Sequence, residues 1–139
     1  MLKINLQILT KNFVPQKSWF RKWAAAALPK SKNTELTIRV VNRKESQALN
    51  KKYRSKNHPT NILSFATDNN YLGDLVICAP LVKKEAQEQN KLLMHHWAHL
   101  TIHGVLHLLG YDHHTKKEAK IMETLEIKIL EKLKIGDPY

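Results

Sequence analysis

The stretch HGVLHLLGYDH, at residues 103–113, constrains the fold of this chain more than any other part of the sequence. His103 and His107 are four residues apart, so on a helix they lie on one face, one turn apart. Gly110 can end that helix, because a glycine adopts the left-handed C-terminal conformation at low cost. The short turn that follows brings His113 back over the same face. The spacing therefore predicts a helix and turn that gather three imidazoles.

Three imidazole nitrogens at about 2.0–2.1 Å can hold one Zn²⁺ and leave a fourth position open, as catalytic zinc sites do. The pattern H-x-x-x-H-x-x-G-x-x-H is the ligand spacing of zinc peptidases of the metzincin type, in which a glutamate after the first histidine is the general base. Here Gly104 takes that place. We therefore predict a metal site at His103, His107 and His113 without the usual base.

The alternative is that a histidine-rich segment creates such pairs by accident. Four more histidines lie nearby: His95, His96, His99 and His114. His99 precedes His103 by one turn and is expected to support a ligand from outside the triad or to pack in the core. Asp112 either orients a ligand or shapes the turn. His114 is expected to be solvated.

Alternating apolar residues predict strands at 2–9 and 35–41. A shorter antiparallel pair is predicted at 62–66 and 74–78, joined by a polar loop around 68–70. Cys78, at the end of the second strand of this pair, is the only cysteine, so no internal disulfide is possible. It is expected to be buried.

Helical patterns lie between Pro15 and Pro29, from a capping box at 42–45 to about Tyr53, from Pro80 to Leu109 with a break near Asn90, and from a capping box at 115–118 to Gly136. The faces expected to be buried carry these residues: Trp19, Trp23, Ala48, Leu49, Ile121, Leu125, Ile129 and Leu133. The order of elements predicts an α/β (α+β) fold. We predict a single domain over residues 1–139, with a small mixed four-stranded sheet flanked by about five helices.

The charge of the chain favours a polyanionic partner. Lys and Arg total 23 against 12 Asp and Glu, a net charge of +11. Nucleic acid is the first expectation and an anionic membrane surface the second. The alternative is that the lysines only solvate helix faces. No apolar run approaches the roughly 20 residues of a membrane helix, and the N-terminus lacks the apolar core of a signal peptide, so a cytoplasmic location is expected.

Three blocks resemble one family. Residues 103–113 resemble the signature H-G-x-L-H-L-x-G-Y-D-H of the YbeY family, bacterial endoribonucleases described as rRNA maturation factors. Residues 53–66, YRSKNHPTNILSFA, resemble its Y-R-x-x-x-x-P-T-N-x-L-S-F block, and residues 72–78, LGDLVIC, resemble its G-D-I-x-I strand. The departures are Ser55 in place of glycine, Asn57 and His58 in place of a charged pair, Ala66 in place of proline, and Leu75 in place of isoleucine.

The resemblance implies an α/β fold with a metal site like that of collagenase-type proteases, one zinc ion held by His103, His107 and His113, and a role for Arg54 in activity. It also implies metal-dependent cleavage of single-stranded RNA, tied to 16S rRNA 3′-end maturation and ribosome quality control. The implied partners are the 16S rRNA precursor, the small ribosomal subunit and its biogenesis factors.

A phosphodiester substrate accounts for Gly104, because an alkoxide leaving group and a metal-activated water demand less of a base than peptide hydrolysis does. Arg54 can contact a phosphate through two N–H groups; the alternative is a surface salt bridge. Three lysines are expected to hold the RNA backbone: Lys51, Lys52 and Lys56. Three polar residues either contact substrate or satisfy the turn: Thr60, Asn61 and Ser64.

Two other functions fit the sequence. One is a metalloprotease-like hydrolase, which the ligand spacing supports and which Gly104 and the basic charge oppose. The other is a non-catalytic RNA- or ribosome-binding factor in which zinc is structural. Whether water or the 2′-hydroxyl of the RNA attacks the phosphodiester is left open by the sequence.

Overall fold

The computed structural model describes residues 1–30, 33–67 and 70–139. Within these ranges the strands are β1 (Leu2–Ile8), β2 (Thr34–Val41), β3 (Ile62–Ala66) and β4 (Tyr71–Cys78). They form one mixed sheet in the order β1-β2-β4-β3, in which β1, β2 and β4 are parallel and β3 runs antiparallel to β4. The predicted antiparallel pair is confirmed, and part of the loop predicted around 68–70, namely residues 68 and 69, lies outside the described residues.

The helices of the described ranges are α1 (Lys17–Ala27), α2 (Arg43–Arg54), α3 (Ala79–Glu88), α4 (Leu93–Leu108) and α5 (Lys116–Lys132). Helices α1 and α4 pack on one face of the sheet, α2 packs on the other, and α3 and α5 pack against α4. The predicted fold, a mixed four-stranded sheet flanked by five helices in one domain, is confirmed. None of these helices is long and apolar enough to cross a membrane.

Strand alternation decides which side chains reach each face of the sheet. Leu75 and Ile77 of β4 join the large core beneath α1 and α4, whereas Val76 joins a small cluster beneath α2. Cys78 is buried at the end of the same strand, as expected. Strand β3 lies next to α4, which carries the histidine segment, and Ile62 of β3 packs against Gly104 of that helix.

Helix α1 buries the predicted face only in part. Phe20 and Trp23 are buried, whereas Trp19 is 42% exposed. The ring of Phe20 meets both Trp23 and Trp97 edge to face, with centroids 5.7 and 5.9 Å apart. The contact of Phe20 with Trp97 of α4 sets the rotation of α1 about its axis. Pro15 immediately precedes the N-cap residue of the helix, Gln16.

Helix α2 uses polar side chains to hold the segment that leads into β3. Ser46 and Asn50 are buried, whereas Ala48, predicted to face the core, is exposed. Ser46 donates its hydroxyl to the carbonyl of Thr60 at 2.8 Å, and Asn50 donates its amide to the carbonyl of His58 at 2.8 Å. These bonds satisfy carbonyl groups that no strand pairs, which explains why the polar face is the buried one.

The predicted capping boxes differ in outcome. At α2, Asn42 is the N-cap residue but makes no side-chain cap, and Glu45 instead pairs with Arg39 of β2. At α5 the cap forms, because Thr115 accepts a hydrogen bond from the Glu118 N–H at 3.1 Å.

The ends and faces of the last two helices also differ from prediction in part. The predicted break between α3 and α4 is confirmed, with Asn90 at φ 52. The end of α5 is at Lys132, four residues before Gly136, and Lys134 adopts the positive φ that ends it. Its buried face carries Met122, Glu126, Ile129 and Leu130, whereas Ile121 is 51% exposed.

Candidate metal centre

The end of α4 and the turn after it carry the three motif histidines. His103 and His107 lie in the last turns of the helix. The N–H of Gly110 donates to the carbonyl of His107 and that of Tyr111 to the carbonyl of Leu106, both at 3.0 Å. This pair of bonds is a Schellman motif, which requires a positive φ at the residue after the C-cap. Gly110 supplies it with φ 103, so the predicted role of this glycine is confirmed.

The turn brings the three imidazoles together. Potential ligand atoms of His103, His107 and His113 all lie within 4.8 Å of one another. The Nε2 atoms of His103 and His107 are 3.1 Å apart, close to the separation of two ligands on one tetrahedral ion. Since His103 and His107 are half-buried and His113 is exposed, the cluster opens toward solvent on one side.

A buried carboxylate of α5 contacts one histidine of this cluster from the interior of the protein. Glu126 is fully buried, and its Oε2 lies 2.6 Å from Nδ1 of His103. Its other oxygen, Oε1, lies 2.8 Å from Nε2 of His99 and accepts a hydrogen bond from the hydroxyl of Tyr139. One carboxylate therefore binds two histidines of α4 and a tyrosine that follows α5.

These contacts fix the charge of Glu126 and the tautomer of His103. Burial raises the pKa of the Glu126 carboxyl, but hydrogen bonds from His103, His99 and Tyr139 outweigh burial and bring the pKa to about 2. An ionised carboxylate only accepts, so Nδ1 of His103 carries the proton. The lone pair of Nε2 is then directed to the side of His107 and His113, as in histidine ligands oriented by a carboxylate.

The second histidine of the cluster is neutral at physiological pH. Burial, with a smaller contribution from the charges of His103 and His113, lowers the pKa of His107 to about 4. A neutral imidazole keeps a free lone pair, which is the form that binds a metal ion. The burial of the site therefore prepares this residue for ligation.

Gly104 lies where α4 crosses the sheet at close range. A Cβ atom at this position would lie 2.7 Å from Cδ1 of Ile62 and 2.7 Å from Cδ2 of Leu75. A longer side chain has no room between the helix and strands β3 and β4. The residue that follows the first histidine therefore faces the core, and the absence of a glutamate there is a consequence of packing.

The other residues predicted near the triad have different roles. His99 is buried; its Nε2 contacts Glu126, and its ring meets that of His103 edge to face, with the centroids 6.2 Å apart. Asp112 accepts a hydrogen bond from the N–H of His113 at 2.8 Å, and its other oxygen is 2.9 Å from Nε2 of His114. Since Asp112 reaches the backbone and not the ring of His113, it shapes the turn. The side chain of His114 is 81% exposed, as expected.

The predicted RNA-binding residues lie on the last two turns of α2 and just beyond it. Arg54, Lys51, Lys52 and Lys56 are all exposed. Among the described residues, no hydrogen bond or ion pair involves the guanidinium of Arg54, which leaves it available to a ligand. The ammonium of Lys52 lies 5.2 Å from the ring centre of Tyr53.

Sequence reasoning missed the residues that support the site. Glu126 was overlooked because it is one polar position in a helix with many exposed charges. A usable signal exists, since Glu126 is flanked at helical spacing by the apolar residues Met122 and Ile129. Tyr139 gave no signal, because its contact depends on how the chain turns after α5.

A second polar cluster lies beside the first. Asn61 donates its amide to both oxygens of Glu85, at 3.1 and 3.2 Å, and Nε2 of His96 lies 2.8 Å from Oε1 of the same carboxylate. Thr60 is not part of this cluster; its N–H donates a hydrogen bond to the hydroxyl of Ser46 at 2.9 Å. Of these two residues, Thr60 satisfies the turn and Asn61 points toward α3.

The fold and the site define a small α/β domain with a three-histidine cluster that could hold a metal ion. A family model described as Endoribonuclease YbeY matches residues 5–134. The chain belongs to the YbeY endoribonuclease family, as the resemblance of its motifs predicted. Its class is therefore that of a nuclease, a hydrolase acting on RNA.

Several relatives named Endoribonuclease YbeY are similar over almost the whole chain. The relative from Colwellia psychrerythraea is 51% identical, with 98% of this chain and 96% of the relative covered. The relative from Methylococcus capsulatus is 50% identical, covering 100% and 96%. The solution structure of a Thermotoga maritima protein matches with a TM-score of 0.59 and 22% identity, covering 96% and 92%, and supports the fold.

Proposed function

We propose that this protein is a zinc-dependent endoribonuclease that cleaves single-stranded RNA during 16S rRNA 3′-end maturation and ribosome quality control. The observation that carries the proposal is the convergence of three imidazoles, one of them fixed by a buried carboxylate, in a family named for RNA cleavage. The proposal places the protein in the cytoplasm, with the small ribosomal subunit, its biogenesis factors and precursor 16S rRNA as partners.

The donor set fits one zinc ion. His103, His107 and His113 would hold it, because all three offer imidazole nitrogens and two are prepared for ligation by their surroundings. A zinc ion held there supplies Lewis acidity toward a phosphodiester oxygen and toward a water molecule. Glu126 keeps His103 oriented with its proton on Nδ1, so the lone pair of Nε2 stays available to the metal ion.

Neither the residue after His103 nor the carboxylate behind that ring can act as a general base. Gly104 is packed against the sheet, and Glu126 is fully buried and engaged by three donors. A phosphodiester, whose leaving group is an alkoxide, fits this arrangement better than a peptide bond does. Arg54, whose guanidinium has no partner in the part of the chain that the structure describes, would bind phosphate oxygens in pairs, and the lysines Lys51, Lys52 and Lys56 would hold the strand.

The test compares RNA and protein substrates with the purified protein. We expect precursor 16S rRNA to be cut, casein to stay intact, and cleavage to stop with a chelator and in His107→Ala. His114→Ala is the matched control, because His114 is a neighbouring histidine outside the triad. A 2′,3′-cyclic phosphate on the product would indicate attack by the 2′-hydroxyl, whereas a free 3′-hydroxyl would indicate attack by water.

Three outcomes would contradict the proposal. Casein cleavage that needs the metal would indicate a peptidase. RNA binding without cleavage at any enzyme level would indicate a non-catalytic RNA-binding factor. RNA cleavage that persists equally in His107→Ala and with the chelator would indicate chemistry elsewhere on the chain or a contaminating nuclease.

A further inference from the structure

A cleft of about 310 Å³ adjoins the histidine triad and shares His103 with it. This size is at the lower end of the range of about 300–1,000 Å³ typical of small-molecule sites. We name it the Glu85 cleft; its walls include Asn61, Ile62, Glu85, Lys91, Leu100 and Tyr139. Because the cleft and the triad meet at one residue, a strand with a phosphodiester at the triad can place a neighbouring nucleotide in the cleft.

The carboxylate of Glu85 is held in a fixed orientation in this cleft. Its Oε1 accepts hydrogen bonds from His96 at 2.8 Å and from Asn61 at 3.1 Å, while Oε2 has only the longer bond from Asn61 at 3.2 Å. The ring of His96 is buried, and its Nδ1 has no partner among the described residues, so Glu85 is its one hydrogen-bond contact. The carboxylate side chain is 29% exposed.

Two acceptors in the cleft have unused capacity. A carboxylate offers about four lone-pair positions, and the described residues fill three of those on Glu85. The carbonyl oxygen of the Asn61 side chain has no hydrogen-bond partner in the described part of the chain, and the amide nitrogen makes both bonds to Glu85. The free positions lie on Glu85 Oε2 and Asn61 Oδ1, so the cleft favours a ligand with adjacent N–H donors.

The cleft also contains a hydrogen-bond donor, the ammonium of Lys91. Lys91 lines the same cleft, and burial lowers the pKa of its ammonium while the charges of Glu85 and Asp137 oppose that effect. No ion pair joins Lys91 to Glu85 within the described ranges, so a ligand can lie between them. Glu85 and Lys91 carry opposite charges on the cleft walls, and Asp137, outside the walls, adds a negative charge that acts on Lys91; the surroundings therefore disfavour a phosphate and favour an uncharged group.

Guanine has the matching pattern of groups. Its Watson–Crick edge places the N1–H and N2–H₂ donors beside the O6 acceptor, whereas adenine has an acceptor at N1 and a donor at N6. Single-stranded RNA is commonly recognised through this edge, with the base face stacked on aromatic side chains. Ile62, Leu100 and the ring of Tyr139 offer surface for the base faces.

We propose that the Glu85 cleft is a subsite for a guanine base of the RNA strand that the triad cleaves. In this arrangement Glu85 and Asn61 accept the N1–H and N2–H groups, and Lys91 donates to O6. The proposal rests on the proposed function, since it assigns the base next to the scissile phosphodiester.

Calorimetric titration with nucleotides tests the subsite without relying on cleavage. We expect 5′-GMP to bind about tenfold more tightly than 5′-AMP, with 5′-IMP, which lacks the 2-amino group, in between. Glu85→Gln should reduce the ratio between GMP and AMP to about twofold or less. Glu88→Gln is the matched control, because Glu88 lies on the same helix, is 60% exposed and is absent from the cleft.

A second variant keeps the test valid if circular dichroism shows that Glu85→Gln is misfolded. Lys91→Met keeps the length of the side chain and removes the donor to O6, so it should also reduce the ratio between GMP and AMP. Equal affinity of the wild-type protein for GMP and AMP would overturn the proposal, even if RNA is cleaved. A preference that survives in a folded Glu85→Gln variant, or in Lys91→Met, would overturn it as well.

A second experiment separates this proposal from that of the nuclease. Short single-stranded RNAs of uridine with one guanosine or one adenosine are incubated with the protein, and the cut positions are mapped. We expect cuts at a constant distance from the guanosine, and fewer at adenosine. GMP preference without cleavage of any RNA would support the subsite and contradict the nuclease, whereas cleavage that ignores base identity would contradict the subsite alone.

Discussion

Oε2 of Glu126 lies 2.6 Å from Nδ1 of His103, so a carboxylate on α5 fixes the orientation of a histidine on α4. The two residues are 23 positions apart in the sequence and meet only because α5 packs against α4. The contact assigns the proton of His103 to Nδ1 and leaves Nε2 free on the side of the triad. The geometry of the candidate metal centre therefore depends on a residue that is not one of its three histidines.

We expect Glu126→Gln to lower zinc affinity by about 10- to 100-fold, the usual effect of losing a carboxylate behind a histidine ligand. The amide offers one acceptor where the carboxylate serves three donors, so His103 loses part of its restraint. Competition with a chromophoric chelator measures the affinity. Glu123→Gln, an exposed position on the same helix, is the control; equal affinity in both variants would show that the contact is dispensable.

Replacing Gly110 should weaken both the fold and the site. Its φ of 103 strains any residue with a Cβ, although nothing lies within 4 Å of that position. We expect Gly110→Ala to cost about 1–2 kcal/mol of unfolding free energy in urea denaturation and to lower zinc affinity, because the turn carries His113. Gly136→Ala, also in open space, should leave both unchanged.

Gly104→Glu should not turn the protein into a peptidase. The added side chain would meet Ile62 and Leu75 at once, and its carboxylate would be buried without a partner. We expect a loss of more than about 3 kcal/mol in unfolding free energy and no cleavage of casein. A stable Gly104→Glu variant that digests casein would show that α4 can move away from the sheet.

Acid should destabilise the protein in part through Glu85. Burial raises the pKa of this carboxyl, but hydrogen bonds from His96 and Asn61 outweigh burial and leave the pKa below its ordinary value of 4.5. A pKa lowered by folding contributes stability above the unfolded value, which is lost as the pH falls through the folded value. Between about pH 6 and about pH 3.5, urea midpoints should therefore fall more for the wild type than for Glu85→Gln, with Glu88→Gln resembling the wild type.

RNA binding should depend on salt through the lysines beside Arg54. Each phosphate contact to a single strand contributes about 0.7 to the slope of log affinity against log salt. Changing three lysines to Gln should reduce the slope by about 2 if all three contact phosphate: Lys51, Lys52 and Lys56. The control changes the same number of lysines on α5: Lys116, Lys117 and Lys120. A larger reduction in the control would place the RNA on the α5 surface instead.

The sequence predicted the elements that depend on local patterns. Alternation in β1 and β2, the break near Asn90 and the end of α4 at Gly110 each follow from the preferences of a few neighbouring residues. The closeness of the three histidines followed from helical spacing and one turn. Such features need no knowledge of how distant segments pack.

The supporting residues were not predictable by the same means. The burial of Glu126 is favourable only because two histidines of α4 and the hydroxyl of Tyr139 surround it. The burial of Ser46 and Asn50 likewise depends on the carbonyl groups of the segment before β3. In both cases a polar residue replaces the apolar one that periodicity favours, and the partner that makes it stable comes from another part of the chain.

The close crossing of α4 and the sheet at Gly104 has a consequence for how the site meets a ligand. Because Gly104 has no side chain, the helix backbone packs directly on the side chains of Ile62 and Leu75, and any tilt of the helix would open a void or create a clash. Two of the three imidazoles are thus preorganised by the core beneath them, and the entropy of ordering them is lost in folding rather than on binding.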